Sequence, residues 1–69
     1  MKVSARNQLK GKIVSINEGA VNSFVTIDIG GGNTINSTIS VNAVKELGLK
    51  VGDEAYAIIK ATSVMVGID

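Results

Sequence analysis

The chain has 69 residues, a net charge of +1, no cysteine, no histidine and only two aromatic residues, Phe24 and Tyr56. That balance excludes disulfide staples and the softer metal ligands. It is too weakly basic for a general polyanion binder and offers little for stacking bases. A hydrophobic share of 45% is high for a single domain (residues 1–69) that buries only about 60% of its unfolded surface. With disulfides and metals gone, association between copies is the expected stabiliser. The start, Met1-Lys2-Val3-Ser4-Ala5-Arg6, has no apolar signal core. No apolar run reaches the roughly 18–20 residues of a membrane span, and the absence of cysteine suits a reducing compartment. A cytoplasmic protein with no membrane partner is expected.

β-branched residues dominate and favour strands. Leu9 to Ile16 reads as a first strand with Leu9, Ile13 and Ile16 inward; its Gly11 marks a bulge or a close backbone approach. Glu18-Gly19 makes a turn. Ala20 to Ile29 is the clearest strand, with Val21, Ser23, Val25, Ile27 and Ile29 on one face and Asn22, Phe24, Thr26 and Asp28 on the other. Gly30-Gly31-Gly32-Asn33 supplies the positive φ of a hairpin loop and lacks the spacing of a phosphate-binding fingerprint. Thr34 to Ser40 returns, with Ile35 and Ile39 inward.

Ser40 or Asn42 can cap a short helix from Val41 to Leu47, with Val44 and Leu47 as its apolar edge and Gly48 as its left-handed terminator. Glu54 to Lys60 and Val64 to Ile68 read as the last two strands. Three strands, a short helix and two strands give the element order of an all-β, five-stranded OB-like Greek-key barrel. A terminal strand left on an open edge can pair with a neighbouring subunit.

Three groups of residues carry candidate chemistry. In an extended Ser4-Ala5-Arg6 the hydroxyl and the guanidinium point to one side; the plain alternative is a solvated terminus. Lys60 precedes Ala61-Thr62 at a strand end, where an ammonium and free N–H groups suit an anion, or where a lysine simply meets solvent. The Gly19-Ala20-Val21 turn and the Thr38-Ile39-Ser40 strand end can aim donors at an anion, or serve only as turn and cap. Six carboxylates show no spacing that argues for acid–base work, and the commonest bases and nucleophiles are missing. An enzyme is not expected.

The string Ser4-Ala5-Arg6-Asn7-Gln8-Leu9-Lys10-Gly11 resembles the opening signature of the molbindins, the small Mop proteins that bind molybdate. The resemblance continues through Gly19-Ala20-Val21, Thr38-Ile39-Ser40, Val44-Lys45-Glu46-Leu47-Gly48 and Lys60-Ala61-Thr62, and so spans the chain. It implies an OB-like fold assembled as a hexamer, a trimer of dimers, holding molybdate or tungstate at subunit interfaces for storage and homeostasis. By the same resemblance Ser4, Arg6 and Lys60, with Thr38 and the backbone at Ala61, form one class of site. Gly19, Ala20, Val21 and Ser40 form a second, near a threefold axis. Ala61 stands where some relatives carry a hydroxyl, which limits it to main-chain contact. The competing reading is an OB-type nucleic-acid-binding module.

Overall fold

The computed structural model describes residues 1–69. In chain order it contains β1 (Asn7–Glu18), β2 (Asn22–Gly30), β3 (Asn33–Ser40), helix α1 (Val41–Leu47), β4 (Glu54–Ile59) and one 3-10 turn, η1 (Ala61–Ser63). The strands make a single antiparallel sheet in the order β3-β2-β1-β4. No helix is long and apolar enough to cross a membrane.

Strand alternation sets the core. Ser23, Val25 and Ile27 of β2 are buried, while Asn22, Phe24 and Asp28 are exposed. Ile13 and Ala57 complete the fully buried apolar set, and Ile16, Ile29, Ile35, Ile39, Val44 and Leu49 pack around it. The first half of β1, Asn7 to Lys12, pairs with β4, and the second half, Lys12 to Glu18, pairs with β2. A register shift between Ile13 and Ser15 lies just past that changeover. Such a bulge bends the strand and raises its twist, which curls the sheet. Gly11 sits at the changeover, where a Cβ would collide with the carbonyl oxygen of Asp28 and with Ile27. Of the two expectations at Gly11, the close approach is the one observed; the bulge falls at Val14.

The β2–β3 hairpin turns through Gly31 and Gly32 at φ 63° and 79°, the hand that suits the strand twist. Ser40 caps α1, its hydroxyl oxygen accepting from the Ala43 N–H at 3.0 Å. Gly48 ends it at φ 63°. Val44 packs on the barrel end, but Leu47 is exposed.

Besides Leu47, other sequence expectations fail. The sheet has four strands, not five. Val64 to Ile68 has strand-like composition but forms no ladder with the rest of the chain. Val21 precedes β2, in the turn, and is 73% exposed rather than inward. Leu9 is 38% exposed rather than inward, although Ala57, its partner on β4, is buried. The architecture is mostly β with one short helix: a curled sheet left open between β3 and β4.

Candidate oxyanion site

The register of β1 on β4 decides what the chain ends do. Asn7 pairs with Ile59, so the residues before Asn7 run past the barrel beside those after Ile59. Two side-chain amides fasten this arrangement. Asn7 Nδ2 donates to the Ile59 carbonyl at 3.2 Å, and Gln8 Nε2 donates back to the Ala5 carbonyl at 3.2 Å. The result is an open pocket of ≈ 200 Å³ lined by Ser4, Ala5, Arg6, Lys60, Ala61 and Thr62. The two donor-rich strings, separated by most of the sequence, meet in one place.

The pocket holds a guanidinium, an ammonium and two hydroxyls, and no carboxylate lines it. The one ion pair of the chain is Lys10 with Glu54 at 3.6 Å, on the surface, so neither Arg6 nor Lys60 is committed to an acidic partner. The turn η1 uses the N–H groups of Ser63 (to Lys60 O, 2.9 Å) and Val64 (to Ala61 O, 3.2 Å). The amides of Ala61 and Thr62 bond to no acceptor in the chain. A cluster of donors with no acceptor side chain but hydroxyls suits a small anion. No group of three or more His, Cys, Asp or Glu residues gathers anywhere to hold a metal cation.

The other expected residues lie apart. Thr38 is exposed on β3, paired with Phe24, and does not line this pocket. Gly19, Ala20 and Val21 form the β1–β2 turn, at the far end of β1 from Asn7. There the Gly19 N–H is spent on the Asn22 carbonyl at 2.8 Å, while the Ala20 and Val21 amides have no acceptor in the chain. The Val21 carbonyl accepts from the Val41 N–H at 2.9 Å, which holds the turn beside Ser40. The structure therefore sorts the expected residues into Ser4, Arg6, Lys60 and Ala61 at one locale, Gly19, Ala20, Val21 and Ser40 at another, and Thr38 by itself.

Asn7, Gln8 and Thr62 stand in the donor-rich strings of the sequence, but the fastening role of the two amides was not foreseen. The role of Asn7 follows from the β1–β4 register, whereas the bond of Gln8 is local, reaching three residues back to Ala5. Thr62, the middle residue of η1, also lines the pocket.

Comparison with known proteins places the chain in a family. Residues 3–66 match the TOBE domain family. The chain is 72% identical, over the whole of both chains, to a probable molybdenum-pterin-binding protein of Haemophilus influenzae. A molybdate-binding protein of Sporomusa ovata, 32% identical, superimposes with a TM-score of 0.91 over 99% of this chain and 100% of its own. The cytoplasmic molybdate-binding protein ModG, solved with molybdate bound, is 46% identical and superimposes at 0.93 over 100% of this chain and 49% of its own. The chain belongs to the TOBE-domain family, among the molybdenum-pterin-binding Mop proteins.

Proposed function

We propose that this protein binds molybdate or tungstate for storage and homeostasis, without catalysis, in a homo-oligomer whose subunit interfaces complete the sites. The observation that carries the reading is the convergence of Ser4, Arg6, Lys60, Ala61 and Thr62 on one pocket free of carboxylates. A tetrahedral oxyanion without protons presents only acceptors, so every lining group must donate. Bonds from charged donors contribute roughly 1.5–3 kcal/mol each and neutral ones nearer 1. Phosphate is worse served, because its protonated form would aim a donor at donors. Cavity size separates molybdate and tungstate from the smaller sulfate.

The pocket is open and its side chains are largely exposed. In this reading a second copy closes it, and Thr38, remote from the pocket within one chain, belongs to a neighbouring copy. The Gly19–Val21 turn with Ser40 forms the second class of site. An anion that binds only the assembly stabilises it by mass action, so molybdate is expected to raise the melting temperature. The nucleic-acid reading is less well served. Phe24 and Tyr56 lie on β2 and β4, opposite Asn17 and Lys10 of β1, too far apart along that strand to form one stacking platform.

Equilibrium dialysis of the purified protein against molybdate tests the proposal. Saturable uptake at micromolar ligand, weakened by Lys60→Ala, is the expected outcome. Absence of saturable uptake would remove the reading.

A further inference from the structure

The pocket that gathers Ser4, Arg6 and Lys60 also takes in their backbone, and every peptide unit brings an acceptor as well as a donor. A free carbonyl oxygen repels a fully deprotonated oxyanion. What engages the carbonyls of the lining residues therefore bears on which anions the pocket accepts.

Three of the six lining residues, Ala5, Lys60 and Ala61, have a carbonyl engaged by a donor of the same chain. The Lys60 carbonyl accepts from the Ser63 N–H at 2.9 Å, and the Ala61 carbonyl from the Val64 N–H at 3.2 Å. Both bonds are made by the backbone around η1. The Ala5 carbonyl is different. It lies outside the strands, no backbone N–H reaches it, and its donor is Gln8 Nε2 at 3.2 Å. One side chain alone decides whether that carbonyl is engaged.

Gln8 does not itself line the pocket. It is the second residue of β1, paired with Ile58 of β4, and its side chain is exposed. The ladder holds its backbone, so the amide that reaches back to Ala5 starts from a fixed place. An exposed neutral hydrogen bond adds little to the fold, and Asn7 already ties the start of β1 to the Ile59 carbonyl. The effect of the Gln8 bond is local, and it falls on an acceptor beside the two cations.

We propose that Gln8 is a positioning residue that determines specificity: its amide occupies the Ala5 carbonyl and so denies protonated oxyanions an acceptor in the pocket. Molybdate, tungstate and sulfate carry no proton near neutral pH and offer acceptors only. Phosphate and arsenate keep a hydroxyl and offer a donor. Among donors that hydroxyl finds no partner, whereas a free Ala5 carbonyl would supply one. Specificity is a difference between two affinities, and withholding a partner from the wrong ligand widens it. A carbonyl oxygen has two lone pairs, so engaging one of them changes the preference by a factor of several and does not abolish phosphate binding outright. The proposal rests on the anion reading above and adds to it the residue through which phosphate is disfavoured.

Equilibrium dialysis against molybdate, with sulfate and phosphate as competitors at neutral pH, tests the proposal on the unsubstituted protein and on Gln8→Met. That substitution keeps the length of the side chain and removes the donor. Molybdate and sulfate should weaken by a common factor while phosphate does not. The preference for molybdate over phosphate should therefore fall about five-fold, the worth of one neutral hydrogen bond, and the preference over sulfate should stay unchanged. A purely structural role would weaken all three anions alike, and that result overturns the proposal. Gln8→Glu has the same shape and no donor at neutral pH; it should shift the preference in the same direction and replaces a Gln8→Met chain that fails to fold. Gln8→Lys restores a donor. Its added charge favours every anion, but the preference over phosphate should return toward the parent's. A preference that stays at the Gln8→Met value overturns the proposal. If the parent binds molybdate and the variants keep its preferences, this proposal alone fails. If the parent binds none, the anion reading fails and takes this proposal with it.

Discussion

The side-chain amide of Asn7 donates to the carbonyl of Ile59 at 3.2 Å, joining the first residue of β1 to the last residue of β4. That bond lies at the base of the proposed site. It fixes where Ser4 and Arg6 emerge relative to Lys60, so a residue that touches no ligand controls the distance between two cations. Asn7→Ala is expected to weaken molybdate binding about five-fold, the equivalent of one neutral hydrogen bond near 1 kcal/mol. Titration calorimetry measures it. An unchanged affinity would mean that the segment holds its position without Asn7.

The two cations have different tasks. Lys60→Ala removes a point charge and is expected to weaken binding roughly tenfold to a hundredfold, as for loss of a charge-assisted bond. The molybdate-induced rise in melting temperature should shrink with it. Arg6→Lys keeps the charge but loses the planar fork, and is expected to bind more weakly than the unsubstituted protein and better than Arg6→Ala. If Arg6→Lys binds as tightly as the parent, the pocket uses charge alone.

Ser40 combines two roles that one pair of substitutions can separate. Ser40→Ala loses the cap on Ala43, at a cost of about 1 kcal/mol, and should lower the melting temperature by about 4–8 °C. Ser40→Asp keeps a capping oxygen but places a carboxylate beside the Gly19–Val21 turn. Its melting temperature should stay near the parent's while fewer anions bind per chain, as counted by native mass spectrometry. An unchanged count would remove Ser40 and its turn from anion binding.

Ser23 is wholly buried and its hydroxyl has no partner in the chain. An unpaired buried hydroxyl costs about 1–3 kcal/mol by protein mutational data. Ser23→Ala should therefore raise the melting temperature by several degrees at unchanged molybdate affinity. A fall on scanning calorimetry would show that the hydroxyl is satisfied in solution.

Gly11 is the opposite case. Gly11→Ala forces a Cβ into the Asp28 carbonyl, a backbone atom that cannot swing away. Overpacking of this kind costs about 1–3 kcal/mol, so the denaturant midpoint should drop, with molybdate affinity following only as far as the fold is lost. An unchanged midpoint would mean that β1 and β2 can separate there at little cost.

Much of this was legible in the sequence for identifiable reasons. Ser40 and Gly48 bracket α1 because capping and left-handed termination depend on single residues. The hairpin at Gly31-Gly32 needs positive φ, which glycine supplies. The period of two in Ser23, Val25 and Ile27 reports a buried face directly. Val64 to Ile68 misled because composition records the wish to be a strand and not whether a partner edge is at hand. Val21 misled because alternation says which face a residue would occupy but not where the strand begins. At the site, the donor-rich strings were visible as residue types. Their meeting was not, since it follows from pairing Asn7 with Ile59 across most of the chain. The fastening role of Asn7 was hidden for the same reason.

The central claim is that Ser4, Arg6 and Lys60 surround a molybdate. Anomalous diffraction near the molybdenum edge, on crystals grown with molybdate, tests it most directly. The account predicts a strong anomalous peak with its oxygens within hydrogen-bonding reach of the Arg6 guanidinium and the Lys60 ammonium. Well-ordered crystals showing the metal only elsewhere, with that pocket holding none, would contradict it.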